Sequence, residues 1–347
     1  MQDYELLFSD LYNYMKNEDF KGYDPYDFLS SPHVTSNNKM FSVLGTQFLK
    51  YFPLNIRPFL DIEKKYNLKT LVLTVRSLIN IKNFNQEIGC YDDDINFLVT
   101  IIMDNANTDN GLSWSRIDYD FYSVSGLQKR SSSIIYLTAL VGHMCIDLYE
   151  CYENEKYLEQ AKKIGEFLFN VERYEKEKLI CFYYTTSIKD RIYNASAYAA
   201  AFLSRLFAYT EEEKYLQIAK KAFTYIIEDQ NQDGSWFYGI SSNNKLLTFI
   251  DYHQGFILDS LKYHLDYVGF NPQIYDSLQK GLHFYQHRQF RSDGRSIYRY
   301  PKKWPIDIHN QAQGIITFSK MKDIDEEYYF FSKKVMFWTL NNMYNSE

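Results

Sequence analysis

The sequence predicts an all-α fold, and three observations carry that prediction. Prolines stand only towards the ends, at Pro25, Pro32, Pro53 and Pro58 and then at Pro272, Pro301 and Pro305. Between Phe59 and Asn271 there is none, and apolar residues recur there at helical spacing. No strand-like alternation is sustained, and Asp233-Gly234 and Asp293-Gly294 each follow a helical pattern instead of joining β-branched runs. The third observation is an internal repeat. Lys156-Tyr157-Leu158-Glu159-Gln160-Ala161-Lys162-Lys163 returns as Lys214-Tyr215-Leu216-Gln217-Ile218-Ala219-Lys220-Lys221. A third copy runs from Ile274 to Gly281, and a weaker fourth from Tyr328 to Lys334.

In chain order, the first elements are helical patterns over about 4–17, 39–52, 66–82 and 91–106. They match the repeat poorly, so their inner or outer placement stays open. Four more apolar helices, rich in small residues, begin near Ser131, Asn194, Asp251 and Asp307, which are favoured N-cap types. Each precedes one copy of the lysine-bearing repeat, whose Lys and apolar residues lie on opposite faces. The unit therefore reads inner helix, short turn, outer helix, long return loop. Four units cover 131–347, and the first 130 residues add two irregular hairpins. Six hairpins make an (α/α)6 toroid, with all of 1–347 expected as one domain. An open α-solenoid is the alternative, but its repeats usually run about 33–47 residues. Tyr157, Tyr215 and Tyr275 recur at equivalent positions, so part of the 18% aromatic content is packing between helix layers.

Composition excludes several classes. With 46% hydrophobic and 24% charged residues the chain is globular. A net charge of −6, with no basic run longer than two residues, argues against a nucleic-acid partner. No apolar stretch approaches the roughly 18 residues of a membrane span. The acidic start, Met1-Gln2-Asp3-Tyr4-Glu5, lacks a signal peptide's apolar core. Cys90, Cys145, Cys151 and Cys181 show no metal-ligand spacing. They are expected as reduced core thiols of a cytoplasmic protein, with no metal and no cofactor.

Gln230-Asn231-Gln232-Asp233-Gly234-Ser235-Trp236 resembles the QW motif of squalene-cyclase and prenyltransferase-type toroids, with related pieces at Gly111-Leu112-Ser113-Trp114 and Ser292-Asp293-Gly294-Arg295. Its ordinary role is structural: Gly turns the chain and Trp packs over the turn. Together with Asp251-Tyr252-His253-Gln254-Gly255 and Pro305-Ile306-Asp307-Ile308-His309-Asn310-Gln311-Ala312-Gln313-Gly314, the segment Asp233 to Trp236 resembles the VpsJ-like polysaccharide biosynthesis proteins of bacterial capsule and exopolysaccharide gene clusters. The resemblance covers about a third of the chain and implies a toroid with a role in surface polysaccharide production. It implies an oligosaccharide or lipid-linked saccharide as ligand, and contact with polysaccharide assembly enzymes. Similar toroids occur among polysaccharide lyases, unsaturated glucuronyl hydrolases and uronyl C5-epimerases, and no catalytic residue carries over from them.

The duplicated Asp-x-His is the most informative constellation. Asp251/His253 and Asp307/His309 both open inner helices, which ring one mouth of a toroid. Capping accounts for the aspartates. It does not account for the histidines, whose protonated form the helix N-terminus disfavours, leaving a neutral base. They are the candidate catalytic set, beside a reading as hydrogen-bonded loop histidines. Trp114, Trp236 and Trp304 fall in return loops, where indole faces stack on sugars or close turns. With Gln254, Arg299 and Asn194 they make the candidate binding set. Asp118 and Asp120 sit in an equivalent loop, and Arg288, Arg291, Arg295 and Arg299 form a local basic cluster suited to a uronate carboxylate or diphosphate. Tyr91-Asp92-Asp93-Asp94 resembles terpene-enzyme acidic motifs but lacks their spacing, and reads as helix N-terminal charge. The expected function is saccharide chemistry of lyase, hydrolase or uronyl-epimerase type. The alternatives are a non-catalytic glycan-binding or scaffolding toroid and, third, an isoprenoid-handling one.

Overall fold

The computed structural model describes residues 2–34, 39–52, 54–84, 91–115, 120–123 and 126–344. Twelve α-helices follow in order among them: α1 (Gln2–Asn17), α2 (Lys39–Tyr51), α3 (Leu68–Phe84), α4 (Asp92–Asp104), α5 (Ile135–Tyr152), α6 (Glu155–Asn170), α7 (Tyr193–Thr210), α8 (Glu213–Glu228), α9 (His253–Val268), α10 (Pro272–Phe284), α11 (Ile308–Lys320) and α12 (Glu326–Met343). Each helix expected from the sequence is present within a few residues. Helices α3, α5, α7, α9 and α11 form the inner layer. Their partners α4, α6, α8, α10 and α12 lie outside, and neighbouring inner helices pack in sequence order. The fold is an α/α toroid with five regular hairpins. The first hairpin is irregular: α1 lays Phe8 and Tyr12 on Tyr91 at the start of α4, while α2 packs with Phe28 and Ile62 in a separate small core.

Burial explains the layering. Helix α7 is buried on almost every face, with seven alanines and serines at 0% exposure letting its neighbours approach. The outer helices bury only one stripe, as at Tyr215, Leu216, Ile218, Ala219 and Ala222. Short turns join each pair, with Glu153, Glu211 and Gly269 in positive φ. Asp92 and Asp94 open α4 beside Lys82 and Lys16, at 2.6 and 2.8 Å, so the acidic run is helix N-terminal charge. Cys145 and Cys181 are free and buried, which pushes both thiols up to about 12; Cys151 is free and half-buried. Cys90 lies outside the described residues. No helix among those described is long and apolar enough to cross a membrane.

The return loops depart from the strand-free expectation. They carry β1 (Phe121–Ser123), β2 (Gly126–Gln128), β3 (Arg173–Lys176), β4 (Leu179–Phe182), β5 (Arg191–Ile192), β6 (Gly239–Ile240) and β7 (Leu246–Leu247). At two to four residues these strands are too short for alternation to register. Backbone pairing runs around the mouth from loop to loop: Ile134 with Thr185, Arg191 with Ile240, and Ile250 with Tyr300. That pairing corrects two caps. Ile134 and Ile192 precede α5 and α7 in extended backbone, so neither Ser131 nor Asn194 caps a helix. Asp307 does cap α11, accepting from the His309 N–H at 3.0 Å.

The turns after α4, α8 and α10 share one construction. Gly111, Gly234 and Gly294 adopt positive φ and press their Cα on the backbone of the next outer helix, at Lys163, Lys280 and Lys334. A Cβ on Gly234 would stand 2.2 Å from the Lys280 carbonyl oxygen, with φ at +89°. Gly234→Ala is therefore expected to destabilise by more than ~1 kcal/mol. Gly269→Ala, with φ at +113° and nothing within 4 Å of the new Cβ, is expected to cost less. Thermal melts of the two variants check the ordering.

Candidate functional site

The inner helices share a register that locates everything at the mouth. Thr138, Ser196, Gln254 and Gln311 each accept a backbone N–H from the loop entering the same helix, at Trp114 (3.1 Å), Phe182 (3.1 Å), Trp236 (3.0 Å) and Ser296 (2.7 Å). They define one level of the toroid. Two residues towards the mouth, the same register aligns Tyr136, Asn194, Tyr252 and His309. Counted two residues back from Gln254 and Gln311, the two Asp-x-His strings are thus one residue out of step: His309 is level with Tyr252, not with His253.

That slip creates the central feature of the mouth. Tyr252 lies between the two histidines, stacked on His253 at 4.2 Å and on His309 at 5.4 Å, with interplanar angles of 27° and 23°. Each histidine is held by its own aspartate. His253 Nδ1 is 2.5 Å from Asp251 Oδ1, and His309 Nδ1 is 3.0 Å from Asp307 Oδ1. Burial opposes charge on Asp251, which is only 4% exposed, but His253 and Arg299 outweigh it and hold its carboxyl below the usual range. The Asp307 carboxyl is likewise lowered, chiefly by its hydrogen bond with His309. An ionised carboxylate only accepts, so in the neutral imidazoles Nδ1 carries the proton and Nε2 is the free base. Arg299 completes one wall, with Nε 3.5 Å from Asp251 Oδ2 and its guanidinium 4.5 Å from the Phe249 ring centre. An open crevice of about 200 Å³ lies here, lined by Asn194, Tyr238, Phe249, Asp251, His253 and Gln254 among others.

The structure brings Asp251, His253, Asp307, His309, Arg299 and Asn194 to this mouth. It corrects three of the proposed sugar contacts. Trp114 and Trp236 are 0% and 2% exposed, and each indole N–H donates to the carbonyl that ends the preceding outer helix, at Ile102 and Ile226, both 2.7 Å. Their faces are consumed by the turn and cannot stack on a sugar. Gln254 is also committed, accepting from Trp236 and donating to the Gly234 carbonyl. Trp304 is 65% exposed, with the Arg295 guanidinium 5.5 Å from its ring. Asp120 accepts from the Arg130 N–H, and Asp118 lies outside the described residues. Trp236→Phe keeps the packed ring but strands the Ile226 carbonyl. It is expected to cost ~1–3 kcal/mol in a denaturant melt and to leave saccharide affinity unchanged.

Two groups escaped the sequence. Tyr252, Phe256, Tyr238 and Phe249 form the aromatic surface around the histidines. Below the mouth, Arg76, Asp147, Arg205, Tyr263 and Lys320 project inward from the five inner helices. Arg76 bonds Asp147 at 2.5 Å, Tyr198 at 2.9 Å and Tyr263 at 3.0 Å. Arg205 meets the other Asp147 oxygen at 2.7 Å, and Lys320 meets Asp259 at 3.1 Å. Burial would raise the Tyr263 phenol, but Lys320, Arg76 and Arg205 pull it below its ordinary value. This layer crosses the lumen and forms the floor of the site. The nine-residue step of the register, from Gln254 to Tyr263 and from Gln311 to Lys320, carries the signal that could have found it.

No family model matches the chain, and no curated protein does. Solved structures match over most of its length at low identity. A GH76 α-mannanase from Bacteroides thetaiotaomicron aligns at 14% identity over 82% of this chain and 76% of its own, with a TM-score of 0.63. Cellobiose 2-epimerase from Bacillus thermoamylovorans aligns at 11% over 83% and 80%, with a TM-score of 0.61. An unsaturated glucuronyl hydrolase from Streptococcus agalactiae aligns at 15% over 82% and 73%, with a TM-score of 0.57. At these identities the likeness establishes the α/α-toroid fold.

Proposed function

We propose that this chain is a carbohydrate-active toroid that moves a proton on a saccharide bound at the mouth, in an epimerase- or lyase-type reaction. The observation that carries the reading is the pair of aspartate-held histidines on either side of Tyr252. Each offers a free Nε2 and a fixed ring, the arrangement general acid–base chemistry needs. Hydrolysis by paired carboxylates fits less well, because Asp251 and Asp307 are each engaged with a histidine and Asp259 with Lys320. The structural neighbours, a mannanase, an epimerase and a glucuronyl hydrolase, support a saccharide as ligand. Production of a capsular or exopolysaccharide is the setting we propose, from the sequence resemblance, with a lipid-linked saccharide and assembly enzymes as further partners.

The test is proton NMR of oligosaccharides in D2O with catalytic protein. Deuterium entering a sugar carbon, or a new double bond, supports the reading. A glycosidic bond broken without either overturns it in favour of hydrolysis. One observation favours a second reading, a glycan-binding toroid without catalysis: Trp304 is 65% exposed, with the Arg295 guanidinium 5.5 Å from its ring, an aromatic and basic surface with no acid–base pair of its own. Binding of the same saccharides with no chemical change over days supports that second reading.

A further inference from the structure

The inference concerns Lys69 and rests on the saccharide reading of the mouth. Lys69 is the second residue of α3 and reaches across the lumen, its Nζ 5.5 Å from the Tyr136 ring centre and 5.9 Å from that of Phe256. Phe256 touches Tyr252 and His253, so Lys69 belongs to the same aromatic surface as the histidines. The other inward cations have carboxylates: Arg76 and Arg205 share Asp147, Lys320 has Asp259, and Lys262 has Asp323 at 2.8 Å. Lys69 has no carboxylate and no hydrogen-bond acceptor among the described residues. Burial alone pushes its ammonium down.

A second observation lies beside it. The Tyr136 hydroxyl is buried without a hydrogen-bond partner, and Tyr136 itself is 9% exposed. Asn194 Oδ1, at the same level on the next inner helix, is also buried and unpartnered. The ammonium thus lies against the ring whose hydroxyl is unused, and an anion with two acceptor oxygens satisfies both. We propose that Lys69 and Tyr136 bind the carboxylate of an acidic saccharide, so that the ligand of this mouth is a uronate-type sugar and not a neutral one. The ammonium takes one oxygen and the phenol O–H the other, while Tyr252 and Phe256 meet the apolar face of the ring.

The test is calorimetric binding of an acidic disaccharide, its neutral methyl ester and a sulfated counterpart to the full-length protein, Lys69→Met and Tyr136→Phe. Wild type is expected to prefer the acidic sugar over its ester by about 10- to 100-fold, the worth of a charge-assisted hydrogen bond. Lys69→Met is expected to abolish that preference while binding the ester as wild type does, and Tyr136→Phe to reduce it. Lys69→Met is also expected to melt at or above wild type, since it removes a half-buried charge that has no carboxylate beside it. Equal binding of acid and ester by wild type, or an undiminished preference in Lys69→Met, overturns the Lys69 assignment and leaves the saccharide reading standing. Preference for the sulfated sugar overturns the carboxylate assignment. Failure of wild type to bind any of the three overturns both readings.

Discussion

His253→Ala is expected to lower turnover of the saccharide by about 10²–10⁴-fold, the range general acid–base groups supply. The fold should survive it. The His253 side chain is 22% exposed, and its partner Asp251 keeps the Arg299 contact and the backbone N–H of residue 253. A variant that melts like wild type yet loses activity therefore reports chemistry and not stability. Asp251→Asn separates the two roles of the dyad. It keeps a hydrogen-bond acceptor for the cap but lets the amide donate to Nδ1, which moves the imidazole proton to Nε2 and removes the free base. Its expected loss approaches that of His253→Ala. His309→Ala is expected to cost a comparable factor if the two histidines act as acid and base on opposite sides of one sugar carbon. Steady-state kcat/KM with deuterium wash-in checks all three, and wild-type wash-in by the His253→Ala variant removes His253 from the reaction.

The fold was legible because repeated helices leave period and punctuation in the chain. Lys156-Tyr157 and Lys214-Tyr215 announce α6 and α8, whereas Trp114 and Trp236, placed among the sugar contacts, close turns instead. The mouth was legible only as two aspartate–histidine strings. Their true relation was hidden because Asp307 stands one residue further from Gln311 than Asp251 does from Gln254. A spacing of equal strings measures identity of residues, whereas stacking depends on identity of helical level. That single-residue slip is why His309 meets Tyr252. The floor was hidden for a different reason. Arg76, Asp147, Arg205 and Lys320 each sit on an apolar helix where a charge reads as the solvent face, and only the register of Thr138, Ser196, Gln254 and Gln311 turns them inward together. The short strands were invisible because pairing between loops depends on which loops the toroid brings side by side.

Asp147→Ala should give the largest loss of stability of any single change considered, about 3–5 kcal/mol. The substitution leaves Arg76 and Arg205 facing each other without the carboxylate they share, and Arg205 is 1% exposed. The damage spreads, because Arg76 also positions Tyr198 of α7 and Tyr263 of α9. Replacing the set instead of one member, as in Arg76→Met with Asp147→Leu, is expected to recover much of the loss, since a buried ion pair gains little over packed apolar groups. The acid limb of the stability curve distinguishes the variants. Burial opposes charge on Asp147, but Arg76 and Arg205 outweigh it and lower its pKa. A carboxyl depressed in the folded state stabilises at pH above its unfolded value of about 3.9, and the contribution is lost as pH falls through the folded value. His143 and His264 act at higher pH. Burial lowers both, His264 to about 4, so the unfolded chain binds protons first as pH falls below about 6.5. Stability then declines by up to ~1.4 kcal/mol per pH unit for each histidine. Wild type should weaken from about pH 6.5 downwards through its histidines and again below about pH 4 through Asp147. Asp147→Ala should keep the first decline and lose Asp147's share of the second, leaving the part that Asp251 and Asp307 supply. Denaturant melts from pH 7 to pH 3 measure both limbs, and an unchanged acid limb in Asp147→Ala would show that the shared carboxylate does not hold the floor together.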